Sequence, residues 1–360
     1  MDKIQRITKL AVAGFKSIVS EIALDIKPLT LLAGANSSGK SSFVQPLLLL
    51  KQTLEASYTL PGLLLINGEN VKFTSYNQMF SKGCNKFTFK IFINDKIWST
   101  TIEGRANQKD VILEPIISFD EITWRVVSGV IHVPGLRGNP ERVYQVTGVG
   151  PHFPKRFEHY TASIIANWAE EKSDKLNKLA ENLMRMGLTS KISAKRLNDA
   201  QIEIMVGRLP KNGRSRADMV NVADVGFGVS QTLPVLVALL AAEPGQLVYL
   251  EQPEIHLHPI AQRILAEILV EAANRNVHVV VETHSALLLI TLQTLVAKRE
   301  ISPNQVALHW FQRDKNGNTN VTTAELSKKG TFGEWPVDFG KVELKAESDY
   351  IDAVVAAITE

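Results

Sequence analysis

The segment Gly34-Ala35-Asn36-Ser37-Ser38-Gly39-Lys40-Ser41 has the residue types and spacing to hold a phosphate chain. In a G-x-x-x-x-G-K-[ST] loop the glycines let the backbone bend around an anion. Successive N–H groups and the N-terminus of the following helix then point partial positive charge at it. Lys40 would reach the β- and γ-phosphates of a nucleotide, and Ser41 would place its hydroxyl on a magnesium ion. Gly34, Asn36, Ser38, Gly39 and Ser42 complete the candidate cradle, the small side chains permitting close approach of the backbone. The apolar run 29–33 before the loop and the helix-prone stretch 42–54 after it supply the strand and helix that such a loop needs. The competing reading is a surface loop with no ligand.

A phosphate cradle also requires a carboxylate for the metal, at the end of a buried strand near the cradle strand. Leu247-Val248-Tyr249-Leu250-Glu251 has that form, which makes Ser41 and Glu251 the candidate magnesium ligands. The chain then turns quickly through Gln252, Pro253 and Glu254 to Pro259. Glu254, His256 and His258 alternate and would share one face of an extended segment, but a structural zinc site usually takes four ligands and Cys84 is the only cysteine. A loop lining a nucleotide site is the better reading. Further on, the strand Val279-Val280-Val281-Glu282 would deliver Thr283, His284 and Ser285 to the same sheet edge, where His284 could donate to a γ-phosphate. A capped core histidine is the alternative for His284.

These groups need a large α/β framework. With 360 residues, 45% apolar and 21% charged, the chain is long enough for one big α/β unit or two ordinary domains. One cysteine excludes an intrachain disulfide and fits a reducing compartment, with cytoplasm as the default. The charged first ten residues resemble neither a signal peptide nor a membrane anchor, and the apolar segment 233–242 is too short to span a bilayer. A net charge of +3 says nothing by itself about nucleic acid. Residues 4–26 read as two short strands around Gly14-Phe15-Lys16-Ser17, and residues 66–130 show strand-like alternation, as in Phe87, Phe89, Ile91 and Ile93. From about 155 to 198 the pattern turns helical and charged. Residues 207–216 form a basic, turn-rich loop. A βαβ rhythm then runs from 226 to 282 and argues a mostly parallel core sheet. The expected division is an N-terminal lobe with the phosphate loop (1–130), a linker and helical insertion (131–216), a C-terminal lobe (217–300) and a β/tail segment (301–360).

The residues carry a family resemblance over nearly the whole chain: GFKSI at 14–18, GANSSGKSS at 34–42, PGLRGNPERVY at 134–144, DVGFGVSQTLPVL at 224–236, LEQPEIHLHP at 250–259, VETHS at 281–285 and GEWP at 333–336. The chain resembles the ATP-binding-cassette type of ATPase in its soluble SMC-like, RecF-like and overcoming-lysogenization-defect (OLD) branch. It is most similar to small bacterial AAA-family ATPases with a Trp-Pro-containing C-terminal segment. The resemblance implies a P-loop NTPase fold of ABC-ATPase type: a mixed, mostly parallel core sheet, an antiparallel N-terminal β lobe and a helical insertion. It makes Gly34, Gly39, Lys40 and Ser41 the Walker A site, Glu251 the Walker B carboxylate and His284 the switch histidine. The segment 226–231 becomes a signature that reaches across a head-to-tail homodimer to a second ATP, with Gly228 and Ser230 as its candidate contacts. Lys16 would lie near the nucleotide. Arg137 and Arg142 could be contacts to phosphate in trans or internal ion pairs with Glu141. ATP and Mg²⁺ are the implied cofactors.

Two departures matter. The signature reads Gly226-Phe227-Gly228, with Ser230 two residues on, where Ser-Gly-Gly is usual. At 252 the family usually places the glutamate that polarises the attacking water, and this chain has Gln252. An amide orients water but takes no proton at neutral pH, although positioning and electrostatics supply most phosphoryl-transfer catalysis. Glu254 is a substitute base. The expectation is firm ATP binding with slow hydrolysis, in a dimer that acts as an ATP-gated switch for a separate effector such as a nuclease, in bacterial anti-phage defence. The alternatives are a RecF/SMC-like maintenance ATPase that binds nucleic acid directly through Lys191, Lys195, Arg196, Arg208, Lys211, Arg214 and Arg216, and, less favoured, the ATPase subunit of a membrane transporter.

Overall fold

The computed structural model describes residues 4–56, 64–103, 113–114, 120–208 and 218–333. The paired strands β1 (Ile7–Ala13) and β2 (Ile22–Asp25) start an antiparallel sheet, which the chain leaves for the fully buried β3 (Leu29–Gly34) and the phosphate-loop helix α1 (Lys40–Glu55). It returns in the hairpin β4 (Lys86–Ile93) and β5 (Lys96–Glu103) and in β6 (Leu113–Glu114), giving the order β2-β1-β4-β5-β6. The helix α2 (Glu121–Ser128), capped by the Asp120 side chain, leads to the short strand β7 (Ile131–Val133).

A second, smaller antiparallel sheet follows. It is built from β8 (Tyr144–Gln145), β9 (Ile192–Asn198), β10 (Gln201–Gly207) and β11 (Met219–Asn221), with the helices α3 (Thr161–Glu170) and α4 (Asp174–Arg185) between β8 and β9. The rest of the chain is α5 (Phe227–Ala241), β12 (Leu247–Glu251), α6 (Pro259–Asn274), β13 (His278–Thr283), α7 (Ala286–Ala297) and the hairpin β14 (Val306–Arg313) and β15 (Thr319–Ala324).

The central sheet has the order β15-β14-β3-β13-β12-β7 and is parallel throughout except for β15. Successive side chains point to opposite faces, so each strand feeds two cores. Leu31, Ala33, Val248, Leu250, Val279 and Val281 pack against the α5–α6–α7 side, whereas Leu32, Leu247, Tyr249 and Val280 pack against α1 and the N-terminal sheet. A sheet covered on both faces needs continuous apolar strands rather than alternating ones, and β3, β12 and β13 read that way. Each such side chain contributes on the order of 2 kcal/mol.

The antiparallel N-terminal sheet and parallel core match the expected architecture. Two segments differ from the sequence reading. The helical stretch ends at Arg185, and 192–198 is a strand paired with β10, where sheet pairing outweighs the charges that masked its alternation. Within 66–130, α2 interrupts the strands. The basic loop beyond Arg208 and the Glu334-Trp335-Pro336 part of the C-terminal motif lie outside the described residues. Among the described residues no helix is long and apolar enough to cross a membrane.

One buried histidine gives the fold a pH dependence. His278 opens β13, is 2% exposed, and is pushed down to about 4 by burial, with Arg6 adding to the effect. Its folded value is below its unfolded value near 6.5, so the stabilisation is present above pH 6.5 and is lost as pH falls towards 4. At about 1.4 kcal/mol per unit this is worth about 3 kcal/mol. Urea unfolding of the protein and of His278→Asn, at pH 7 and pH 4.5, should show the gap between them shrinking by about 2 kcal/mol at the lower pH.

Candidate functional site

The loop between β3 and α1 is held by close backbone approach at its two glycines. A Cβ on Gly34 (φ +136°) would lie 2.1 Å from the Phe311 carbonyl oxygen, and one on Gly39 (φ +109°) would lie 2.3 Å from Thr319 Oγ1. Both contacts come from the β14–β15 hairpin. Thr319 Oγ1 donates to the Ser38 carbonyl at 2.9 Å and meets Ser17 Oγ at 2.8 Å, and Arg313 Nε donates to the Ser37 carbonyl at 2.7 Å. The hairpin thus clamps the loop from outside.

A cavity of about 280 Å³ opens over this loop, lined by residues 37–42 together with Lys16, Glu282 and Arg313. Lys40 is buried, and its Nζ donates to the carbonyls of Gly34 (3.0 Å) and Ala35 (2.8 Å). Burial lowers its pKa, while Glu282 and Glu254 oppose the shift. Lys16 lines the cavity; its Nζ donates to Gln45 Oε1 at 2.6 Å and sits 4.6 Å from the Phe73 ring centre. Asn36 is exposed on the loop and Ser42 is half-buried in the cavity wall. The Ser38 hydroxyl is buried and has no partner among the described residues.

The carboxylates are arranged differently from the sequence expectation. Ser41 Oγ donates to Glu282 Oε1 at 2.9 Å rather than to Glu251. The second oxygen of Glu282 accepts from the fully buried Tyr249 hydroxyl at 2.8 Å. Glu251 has other partners: its oxygens accept from His132 Nε2 at 3.0 Å and from the Gly135 N–H at 3.1 Å, while the carboxylate stays close enough to Tyr249 to help burial and Glu282 raise that hydroxyl's pKa. The His132 ring stacks on Tyr249, with centres 5.3 Å apart. Burial alone would raise the Glu251 pKa, but His132, Gly135 and Arg137 together bring it below the usual carboxylate range. Glu282 is raised by burial, and the neighbouring Glu251 adds to this against Tyr249, Ser41 and Lys40. Glu251 and Glu282 are register partners on adjacent parallel strands.

Glu254 lies one turn further along and is 9% exposed. Its Oε1 accepts from Thr283 Oγ1 and from the His284 N–H, both at 2.8 Å, and its Oε2 has no partner among the described residues. The His284 ring bonds the Gly34 backbone, and burial and Lys40 lower its pKa, so the ring is neutral at pH 7. Gln252 adopts φ +44°, its N–H bound to the Glu282 carbonyl at 2.7 Å. His256 and His258 do not join a metal cluster; His258 caps α6, and no group of three or more metal-ligating side chains occurs among the described residues.

Arg137 is neither an exposed phosphate contact nor an ion-pair partner of Glu141. It is 4% exposed and donates to four backbone carbonyls: Pro134 (2.9 Å), Gln231 (3.0 Å), Glu251 (2.9 Å) and Gln252 (3.0 Å). Burial lowers it to about 10, so it stays charged at pH 7. Arg142 instead pairs with Asp224 at 3.1 Å on the surface. Gly228 and Ser230 lie at the start of α5, outside the cavity over the loop, and the exposed Ser230 hydroxyl donates to the Phe227 carbonyl. Of the proposed basic stripe, Arg196 is tied to Glu170 and Asn167, at 2.7 and 2.8 Å; Lys211, Arg214 and Arg216 lie outside the described residues.

Sequence reasoning missed Glu282, Tyr249, His132 and Arg313. The one available signal was Glu282, a lone carboxylate at the end of a run of valines and two residues before His284.

The donor set suits a hard divalent cation: hydroxyl and carboxylate oxygens beside a cationic lysine, with an orphaned serine hydroxyl in the wall and no thiol. Magnesium bound there would be held by Ser41 and a strand-end carboxylate.

A family model described as "AAA domain, putative AbiEii toxin, Type IV TA system" matches residues 151–290, a stretch that contains Glu251, Glu254 and His284 but not the phosphate loop. No curated protein matches the chain. Among solved structures, an Smc head bound to the C-winged helix domain of ScpA is similar over 90% of this chain and 98% of that one, at 13% identity and a TM-score of 0.58. A Pyrococcus furiosus Smc head domain with an extended coiled coil, bound to the C-terminal domain of ScpA, is similar over 89% and 97%, at 12% identity and a TM-score of 0.57. The chain has the P-loop fold of these heads.

Proposed function

We propose that the protein binds ATP in the loop 34–41, hydrolyses it slowly, and uses the bound state as a switch. The observation that carries this reading is the convergence of Lys40, Ser41, Glu282, Glu254 and His284 on one sheet edge beside a cavity floored by the loop. Lys40 exchanges its bonds to the Gly34 and Ala35 carbonyls for phosphate oxygens. The loop N–H groups and the start of α1 orient the phosphates. Magnesium, when bound, neutralises charge on the β- and γ-phosphates. The neutral His284 ring has a single N–H, directed at the Gly34 backbone in the free protein, and gives up that partner to donate to the transferred phosphoryl group. Gln252 orients water without taking its proton, and the free oxygen of Glu254 is the proton acceptor that remains.

At the start of α5 Gly226 and Phe227 are exposed, Gly228 and Ser230 are half-buried beside them, and none of the four lines the cavity over the loop. This supports a composite site in which a second copy, head to tail, supplies that helix N-terminus to the bound ATP. The likeness to an AbiEii-type AAA family supports a role in bacterial defence, with the bound dimer gating a separate effector chain such as a nuclease. Direct binding to nucleic acid is the second reading; it requires an affinity that falls steeply with salt.

The hydrolysis claim has a direct test. Gln252→Glu restores a proton acceptor and should raise ATP turnover by on the order of tenfold to a hundredfold, within the range of general-base effects. Fast turnover of the unmodified protein that Gln252→Ala leaves unchanged would refute the slow-switch reading.

A further inference from the structure

We infer that Glu282, not Glu251, is the carboxylate that holds the divalent cation beside Ser41. The inference rests on the nucleotide reading above and sharpens its metal site. Three observations carry it. Glu282 is in hydrogen-bond contact with the Ser41 hydroxyl and lines the cavity, and it is 6% exposed. Its orientation is fixed from behind: Tyr249, fully buried and stacked under His132, donates to Oε2 and leaves Oε1 turned to Ser41. Glu251, by contrast, has each oxygen already committed, one to His132 and one to the Gly135 N–H. Those partners belong to β7 and the turn after it, the side of β12 away from the phosphate loop.

Strand order gives the same answer. β13 is next to the loop strand β3, whereas β12 is one strand further, a step of about 4.8 Å. To reach Ser41, Glu251 would have to abandon both bonds and leave His132, which is 3% exposed, with a buried ring nitrogen unpaired. Glu282 needs no such rearrangement. Glu251 then acts behind the site, holding His132 against Tyr249 and so keeping Glu282 in place. The orphaned Ser38 hydroxyl in the same cavity wall is a second group prepared for a ligand.

The test turns on charge, because glutamine keeps the size of the side chain and one acceptor oxygen for Ser41 or Tyr249, its NH2 donating to the other hydroxyl, but carries no charge. Manganese binding to the full chain with saturating ATP, read by electron paramagnetic resonance, should weaken about tenfold or more in Glu282→Gln. It should weaken less in Glu251→Gln, which leaves the ligand's charge in place and loosens only its support. ATP affinity measured in EDTA should not fall in Glu282→Gln, which removes a negative charge from the cavity wall. Glu282→Asp, which keeps the charge but shortens its reach, serves as the second variant and should lose at least about threefold. Manganese affinity that is unaltered in both Glu282 variants, or that falls mainly in Glu251→Gln, overturns the assignment while leaving nucleotide binding intact. Failure of the unmodified protein to bind ATP at all overturns the nucleotide reading and this inference with it.

Discussion

Replacing Lys40 with alanine is expected to weaken ATP binding by at least about a hundredfold and to abolish any ATP-dependent association of the chain. The Lys40 ammonium is 3% exposed and sits within the fields of Glu282 and Glu254. In the free protein it satisfies the Gly34 and Ala35 carbonyls, so it is pre-positioned and costs little ordering when phosphate arrives. Charge-assisted hydrogen bonds of this kind contribute about 1.5–3 kcal/mol. Its loss also leaves two carboxylates facing an incoming polyanion with no cation between them. Together these effects amount to about 3 kcal/mol or more, and 1.4 kcal/mol is a factor of ten in affinity. Titration calorimetry of ATP into both proteins checks the number, and a thermal melt establishes that the variant is folded. A loss smaller than about threefold would remove Lys40 from the site.

The second large effect is expected at Arg137. Its guanidinium joins the end of β12, at the Glu251 and Gln252 carbonyls, to α5 at the Gln231 carbonyl, and the Gln231 amide answers by donating to the carbonyls of Arg137 (2.6 Å) and Gly138 (2.8 Å). No described carboxylate hydrogen-bonds this buried cation. The residue therefore acts as a backbone clamp, and it braces the left-handed turn at Gln252. Arg137→Ala strands four carbonyls, each worth about 1–3 kcal/mol when dehydrated. Water refilling the gap offsets part of this, leaving an expected loss of about 3–5 kcal/mol in urea unfolding. Arg137→Lys should fall between, because an ammonium has three donors and lacks the planar fork. Because the clamp joins the strand end behind the cavity to α5, the helix proposed to meet a second copy, the lysine variant should also uncouple ATP binding from association. A loss below about 1 kcal/mol in the alanine variant would show that these carbonyls find equivalent partners without it.

The sequence made the phosphate loop and its flanking strand and helix legible, because local rules govern them: two glycines at fixed spacing, an apolar run before and a helix-forming run after. The buried parallel strands were legible for a similar reason, since a strand covered on both faces has to be apolar throughout. Residues 192–198 were not, because the adjacent charges Lys195 and Arg196, on opposite faces of the strand, hid the alternation that pairing with β10 exploits. Glu282 escaped notice because its meaning is not local. Only the order β3-β13-β12 places it, rather than Glu251, against Ser41. The role of Arg137, expected as a phosphate contact in trans or an ion pair with Glu141, is hidden for the same reason, since the carbonyls that it gathers come from positions 134, 231, 251 and 252. Short-range chemistry shows in the chain; contacts across strands and between distant segments do not.

The central claim is that ATP in the loop 34–41 completes its site with a second copy of the chain. Sedimentation of the full protein with ATP and magnesium, alongside Lys40→Ala, tests it most directly. The expected result is a shift from the 39.8 kDa monomer to twice that mass, dependent on ATP and absent in the variant. An unchanged mass at ATP concentrations that calorimetry shows to be saturating would contradict it.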